Sequence, residues 1–536
     1  MVQKTVRRFH QARWDEPIIY ELSHPGERGI LLPAIGENVR AVVGDVLARI
    51  PVSMRRSRPP SLPEMAQPRV LQHYLRLSQE TLGRDLNVDV GQGTCTMKYN
   101  PPINEKFVTS PRVADLHPLQ DESTVQGILE IMYALGRFLQ AISGLGRFTF
   151  QPGGGSHAIY TMASIVRAYF ESRGEAEHRD EIITTLFSHP SDAAAPRVKG
   201  YKAIVLYPNA EGFPDVDALR AVVSERTAAL FITNPEDTGI FNPRIREFTE
   251  IVHRAGGLCA YDQANANGIL GITRAKEAGF DMAFFNLHKT FASPHGSGGP
   301  ADGALGVTQS LAPFLPVPLV EYDDATGKYY LDYDVPHTIG KVKDFYGVVP
   351  AVVRAYAWIR SLGPEGLKEV ARVAVLNNNY LLRQALTIRG LEAPFAPGRH
   401  RLEQVRYSWA ELTRDTGVST TDVQRRVADF GTHCWLSHEP WVVPEPFTLE
   451  PTESYSREEL DEYVAILRHI AQEAYENPEM VKSAPHRSTV GKMDDHSYFE
   501  DPAKWALTWR GYRKKYKGYF EPREEKDTVR ASDAGA

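Results

Sequence analysis

The chain has 536 residues, too many for a single hydrophobic core, so two or three domains are expected. Hydrophobic residues make up 42% and charged residues 24%, with 61 basic against 67 acidic side chains; this is a soluble-enzyme composition without the basic field that nucleic acid or an anionic membrane surface requires. Cys95, Cys259 and Cys434 are far apart with no paired spacing, which argues against a disulfide framework or a structural zinc and for a reducing, cytoplasmic setting.

No apolar region follows the charges of the N-terminus, so no secretory signal is read there, and no run approaches the roughly 18 apolar residues of a membrane span. Residues 1–115 read as an arm, with helices over 39–49 and 69–82 and an Asn-Pro-Pro at 100–102 that cannot continue a helix. Such an arm has few apolar residues of its own and is expected to wrap a neighbouring subunit, which makes an oligomer the default.

Residues 116–335 read as the large domain. A helix over 123–144 carries Ile128, Leu129, Met132, Leu135 and Leu139 at helical spacing. Then come a strand at 147–150, a glycine-rich turn, and a helix over 158–172. Strands follow at 181–187 and 203–207, a helix at 215–223, a strand at 228–233, a helix at 242–255, and strands at 258–262 and 282–287. This alternation predicts an α/β fold, a mostly parallel sheet covered on both faces with ligands bound beyond the carboxyl ends of its strands. Residues 336–475 read as a smaller α+β domain, with a helix over 349–362, a Gly-Pro-Glu-Gly break at 363–366 and a helix continuing to about 383. Strands near 390–409 and helices over 421–430 and 457–473 complete it, the last helix opening on a capping box of Ser456 and Glu459. The tail, 476–536, alternates charged and aromatic residues and is expected to pack on the body as far as Tyr519.

Four segments carry chemistry. Gly153-Gly154-Gly155-Ser156 lies between a strand and a helix, where glycines admit an anion and the helix start offers free N–H groups; the turn alone is equally consistent with a plain connection. His157 ends it, either as a helix-start hydrogen bonder or as a plate for a planar ring. Asp262 ends an apolar strand, as a turn cap or as a carboxylate for a protonated ring nitrogen. Lys289 follows the apolar run 282–287, either a surface loop lysine or a desolvated amine suited to Schiff-base chemistry. His189 also lies just past a strand. A phosphate cradle, a ring plate, a strand-end acid and a strand-end lysine are the parts a pyridoxal phosphate site needs. A dinucleotide site is excluded for want of G-x-G-x-x-G, and a P-loop for want of its lysine motif.

The chain resembles the P protein (glycine decarboxylase) of the glycine cleavage system, in its separate C-terminal subunit 2 form. The matching motifs are Cys-Thr-Met-Lys-Tyr-Asn-Pro (95–101), Leu-His-Pro-Leu-Gln (116–120), Thr-Val-Gln-Gly (124–127) and Thr-Asn-Pro (233–235). Tyr-Asp-x-Ala-Asn (261–265), Asn-Leu-His-Lys-Thr-Phe (286–291), Pro-His-Gly-x-Gly-Gly-Pro (294–300), Pro-Thr-Glu-Ser (451–454) and Ser-Ala-Pro-His (483–486) extend the match from about Glu16 to about Leu507. The resemblance implies a fold-type-I, aspartate aminotransferase-like enzyme using pyridoxal 5'-phosphate. In it Lys289 forms the Schiff base, His157 stacks on the ring, Asp262 binds the ring nitrogen and His189 lies near. Gly154, Gly155, Ser156, Thr233, Ala264, His288 and Thr290 would complete the cofactor site. Thr94, Cys95, Tyr99, Tyr160, Gln263 and His295 would line the substrate pocket, and no metal is implied. Glycine would lose its carboxylate and pass an aminomethyl group to a lipoylated H protein. The family further implies a heterotetramer with a subunit 1, beside the homodimer that the arm suggests.

The departures from the family pattern cluster around the pocket. Gly-Ser-His-Ala-Ile-Tyr stands at 155–160 where the family reads Gly-Ala-His-Gly-Glu, and Ser-His-Pro-Ser-Asp at 188–192 replaces Ala-His-Gly-Thr-Asn. Gln263 replaces a glycine, and Val-Gly-Gln-Gly-Thr-Cys-Thr at 90–96 replaces Pro-Leu-Gly-Ser-Cys-Thr. These leave open a paralogue acting on another amino acid or amine without a lipoyl partner. A non-catalytic cofactor-binding subunit is the remaining alternative, although retention of Lys289 and Asp262 argues against it.

Overall fold

The computed structural model describes residues 6, 7, 9–30, 32–58, 60–82, 90, 91, 93–95, 98–294, 301–434, 442–492 and 508–516. The chain forms two compact units, residues 1–8 with 84–484 and residues 9–83 with 485–536.

The larger unit is built on a seven-stranded sheet: β1 (Arg147–Thr149), β2 (Glu181–Thr185), β3 (Lys202–Leu206), β4 (Thr227–Thr233), β5 (Leu258–Asp262), β6 (Met282–Asn286) and β7 (Gly303–Val307), in the spatial order β1-β7-β6-β5-β4-β2-β3. From β6 across to β3 all neighbours are parallel, while β7 runs antiparallel to both β6 and β1. Parallel pairing buries both faces, and β5 and β6 accordingly have no exposed residue. One core joins Leu135, Leu230, Phe248 and Phe285 on one side of the sheet; another joins Ile159, Met162, Phe231 and Phe284 on the other. Phe284 and Phe285, adjacent on β6, serve opposite cores, as the period of two demands. β7 was not foreseen. Its Gly-Ala-Leu-Gly-Val carries too few β-branched residues to read as a strand, and Gly306 is there because a Cβ would meet the Phe148 ring at 2.3 Å.

The expected break at 363–366 is present: Gly363, at φ 65° and ψ −179°, leaves the helical conformation ahead of Pro364 and divides the stretch Val349–Ala385 into two helices. The expected strands near 390–409 reduce to Val405–Ser408, which pairs antiparallel with Pro446–Leu449. Tyr407, Trp409 and Phe447 are buried there against the helix Arg457–Glu476, whose start is the Ser456–Glu459 capping box.

In the smaller unit the expected helix over 39–49 stops at Val43. Gly44 takes φ 62°, and a separate turn over Val46–Arg49 begins at Asp45, whose side chain accepts from the Ala48 N–H. The helix Gln67–Gln79 is held to the start of the chain by Glu16, which meets His73 at 2.9 Å and Arg76 at 3.2 Å. Tail residues join this same unit: Thr489 donates to the Ala12 carbonyl at 2.6 Å, and Trp509 stacks on Tyr20. Among the described residues no helix is long and apolar enough to cross a membrane.

Candidate active site

The carboxyl ends of β4, β5 and β6 deliver Thr233, Asp262 and the turn that holds Lys289 to one edge of the sheet. β6 is wholly buried up to Asn286, and the chain then turns tightly: the Lys289 N–H donates to the Asn286 carbonyl at 3.0 Å. Lys289 is therefore no surface lysine, being only 6% exposed. His288 is buried beside it, and its Nδ1 accepts from the Asp302 N–H at 3.4 Å.

Asp262 is 3% exposed, and its Oδ1 accepts from the Ala264 N–H at 2.8 Å. Burial pushes its carboxyl up to about 6, with the Ala264 bond and the Lys289 charge pulling the other way. A second acid lies close by. Asp192, fully buried, faces Asp262 and accepts weakly from the Thr233 hydroxyl at 3.5 Å, while its Oδ1 has no hydrogen-bond partner. Desolvation first, and the Asp262 charge second, hold Asp192 well above the usual carboxylate range. Two acids in one dry corner do not both ionise, and Asp192 is the one kept neutral.

The loop after β5 ties these parts together. Asp262 holds the Ala264 N–H, Thr290 Oγ1 accepts from the Ala266 N–H at 2.9 Å, and the Ala264 carbonyl accepts from the Asn286 N–H at 3.2 Å. Asp262 and Lys289 are thus fixed through a shared backbone as well as through packing.

Opposite them the glycine turn opens the 18-residue helix Gly155–Ser172. Gly154 has φ 153° and ψ −179°, a conformation only glycine adopts cheaply, and a Cβ on Gly155 would press the Asn286 amide at 3.0 Å. The first N–H groups of the helix are left without backbone partners and form an anion cradle. His157 Nδ1 accepts from the Gly153 N–H at 3.1 Å, and burial lowers its affinity for a proton, so the ring is neutral. Ser156 shares a 2.6 Å hydrogen bond with Ser191, which joins the cradle to the helix Pro190–Val198, where His189 is the N-cap through a 3.1 Å bond from the Ser191 N–H.

The residues expected to line a substrate pocket scatter. Tyr160 lies 6.3 Å from the His157 ring but turns toward Lys199, whose ammonium sits 5.2 Å from its ring. Gln263 bonds to the Tyr261 hydroxyl and is buried with its Oε1 unpartnered. Cys95 is half-buried on a short turn, Tyr99 is exposed with its N–H on Ser454, the side chain of Thr94 is not described, and His295 lies outside the described residues.

Three residues that the sequence reading missed belong here. Lys343 places its ammonium 3.7 Å from where a Cβ of Gly153 would stand, a cation at the anion cradle. Asp192 stands in a segment flagged only for its histidine. Glu450, fully buried, accepts from both Asn265 at 2.6 Å and Asn267 at 2.7 Å, and so grips the loop after Asp262 from the C-terminal part of the unit. No local pattern marks Lys343 or Glu450, since only the tertiary fold brings them in. A hollow of about 1040 Å³ lined by Gln120–Gln126 and Tyr322–Tyr330 contains none of these groups. His253, Cys259 and Asp281 also lie within 4.8 Å of one another, but Asp281 is already engaged by His253 and the Cys259 N–H, and burial keeps the Cys259 thiol from ionising.

Residues 150–299 match the family model for aminotransferase class-V, and residues 370–489 match that for the glycine dehydrogenase C-terminal domain. The chain is 46% identical over 505 residues to a protein of Pyrococcus abyssi named "Probable glycine dehydrogenase (decarboxylating) subunit 2", covering 94% of this chain and 98% of that protein. A protein of the same name from Halalkalibacterium halodurans is 40% identical over 491 residues, covering 91% and 97% respectively. Among solved structures, an inhibitor-bound glycine decarboxylase (P-protein) of the glycine cleavage system superposes with a TM-score of 0.70 at 20% identity, over 82% of this chain and 100% of that one. A NifS-like protein superposes with a TM-score of 0.55 at 16% identity, over 72% and 100%. The fold is that of the fold-type-I enzymes, with its large domain of aminotransferase class-V type.

Proposed function

The chain belongs to the glycine dehydrogenase (decarboxylating) subunit 2 family, the P protein of the glycine cleavage system, and from that premise we propose that it decarboxylates glycine on a pyridoxal 5'-phosphate held by Lys289. The buried Lys289 beside the buried Asp262 is the observation that carries the reading.

The residues fit that cofactor. Its phosphate matches the cradle at Gly154, Gly155 and Ser156 with Lys343 alongside, and its protonated ring nitrogen matches Asp262. The unpartnered polar atoms Asp192 Oδ1, Asn286 Oδ1 and Ser293 Oγ are groups that a polar occupant would satisfy. Bound pyridoxal phosphate supplies a carbonyl for a lysine amine and an electron sink for the bond broken at the α-carbon of glycine. Asp262, the acid of the pair that ionises, would keep the cofactor's ring nitrogen protonated. His157, neutral and fixed by Gly153, offers a flat face without placing a second positive charge beside it. Lys289 would hold the cofactor's carbonyl and carry protons at Nζ, and its buried setting would exclude water from the reacting carbon.

The words "subunit 2" in its relatives' name support a subunit 1 partner; we further propose a heterotetramer with it, a lipoylated H protein as acceptor of the aminomethyl group, and a cytoplasmic setting. Two measurements test the reading. Wild-type protein should show the visible absorbance of bound pyridoxal phosphate, and Lys289→Ala should lose it. Carboxyl-labelled glycine should exchange with bicarbonate when lipoylated H protein and subunit 1 are supplied; no exchange would refute the decarboxylase assignment.

A further inference from the structure

Two of the motifs in the sequence, Cys-Thr-Met-Lys-Tyr-Asn-Pro at 95–101 and Pro-Thr-Glu-Ser at 451–454, take no part in the chemistry described so far, yet they meet. The Tyr99 N–H donates to Ser454 Oγ at 2.9 Å, and the Lys98 ammonium stands 3.0 Å from a Glu453 carboxylate oxygen. Lys98 is among the largest fully buried side chains of the described residues. A charged amine so far from water needs a counter-ion and a polarisable surface, and it has both: the ammonium lies over the Trp358 ring, 4.8 Å from its centre. Burial pulls Lys98 toward its neutral form, and Glu453 pulls it back toward the ammonium.

Trp358 carries that anchorage to the reacting turn. It meets Phe291 edge to face at 6.0 Å, Phe291 meets Phe285 in the same manner at 5.7 Å, and all three rings are buried. Phe285 lies near the end of β6 and Phe291 two residues after Lys289, so the two rings bracket the turn on which Lys289 sits. The Lys289 N–H bond to Asn286 and a 3.1 Å bond from the Ser293 N–H to the Leu287 carbonyl close that turn, and Ala292 within it takes φ 61°. A residue other than glycine keeps such a conformation only when its surroundings hold it there. Four residues before Trp358, Arg354 grips Glu105 at 2.6 and 2.8 Å, and Asn100 donates to the same carboxylate at 2.6 Å. The stretch 98–105 is thus pinned twice, one turn apart, to the helix that begins at Val349.

We propose that Lys98 is a positioning residue for Lys289: its ammonium, fixed by Glu453, orients Trp358, and Trp358 acting through Phe291 holds the turn that aims the Lys289 amine. The inference rests on Lys289 being the reacting lysine. If the fold needed only a wall behind Phe291, an apolar side chain at 98 would fill the space without the cost of burying a charge. The charge adds direction. An ammonium held by Glu453 attracts the face of the indole and not its edge, and so fixes how Trp358 is turned toward Phe291.

The test is the rate at which added pyridoxal phosphate becomes attached to Lys289 in cofactor-free full-length protein. The amine condenses with the aldehyde and releases water, borohydride reduction fixes the product, and peptide mass spectrometry reads how much of it lies on Lys289. Lys98→Met fills the space without the charge and should slow attachment about tenfold. Lys98→Arg keeps a cation for Glu453 and the indole face, and should come within about threefold of wild type. Trp358→Leu should slow attachment to a similar extent as Lys98→Met. The variant carrying both changes should be no slower than the slower single one, because the two residues act through one chain of contacts. Glu453→Gln is milder and should act in the same direction; if melting shows that Lys98→Met does not fold, an unchanged rate in Glu453→Gln overturns the proposal by itself. A merely structural role lowers the melting temperature and leaves the attachment rate alone. Equal rates in wild type and folded Lys98→Met, or effects of Lys98→Met and Trp358→Leu that multiply, would likewise overturn it. Wild-type protein that carries its label on lysines other than Lys289 would instead sink the assignment of Lys289.

Discussion

Asp262 and Asp192 share one buried corner but divide its work. Asp262 reaches Lys289 electrostatically and ends β5, whereas Asp192 sits one helix start away on Thr233. Losing the carboxylate at Asp262 removes one hydrogen bond to a charged group, worth about 1.5–3 kcal/mol. Asp262→Asn should therefore keep bound cofactor, visible by absorbance, while glycine turnover falls about ten- to hundredfold. Unchanged turnover would remove the ring-nitrogen role. Lys289 and Asp262 could be found in the sequence because Asp262 ends an apolar strand and Lys289 follows another by a tight turn, which brings both to the edge of the sheet. Lys343 and Glu450 could not. Neither falls inside a motif, although Glu450 directly precedes Pro-Thr-Glu-Ser, and each reaches the site through a long-range contact, with Gly153 and with Asn265 and Asn267. Gln263 is picked out by its proximity in sequence to Asp262, and its side chain bonds the Tyr261 hydroxyl.

At the scale of elements, the arm raises the sharpest question. The helix Glu37–Val43 is seven residues long and buries none of them. A helix that short does not persist on its own propensity, so it needs a surface to lie on. The apolar residues around it are open: Ile30 is 72% exposed, Leu32 86%, Val42 87% and Val52 78%. Exposed apolar residues scattered singly need no explanation, but a run of them over one segment does. We propose that another chain, a second copy or a subunit 1, covers this segment. Val42→Asp should shift the sedimentation profile toward smaller species at micromolar protein while leaving the monomer's melting within about 0.5 kcal/mol, as expected of a surface change. The sequence reading identified the arm by its prolines and its poverty of apolar residues. It could not see that tail residues join the same unit, because Thr489 with Ala12 and Trp509 with Tyr20 are contacts between the two ends of the chain.

Among the described residues several acids are fully buried. Glu236, hydrogen-bonded to Thr185, and Glu403, against Gly268, are fully buried, and burial raises both to about 8. Both flank connections between the sheet and the C-terminal part of the larger unit: Gln404 donates to the Glu236 carbonyl at 3.2 Å, and the neighbouring Asp237 pairs with Arg406 at 2.7 Å. The sign of their linkage is fixed by that direction. Below the ordinary glutamate range both folded and unfolded chains hold these protons, and pH has no leverage. Between that range and about 8 the folded chain keeps the protons and the unfolded chain gives them up, so stability falls as pH rises. The cofactor-free protein should therefore melt at progressively lower temperature from about pH 5 to pH 8, opposite to a protein stabilised chiefly by ionised carboxylates. Glu236→Gln and Glu403→Gln keep the shape and remove the titration, so each should flatten part of the slope in a pH series of calorimetric scans. A melting temperature that rises across this window, or a slope untouched in both variants, would mean that neither acid is protonated in the folded chain.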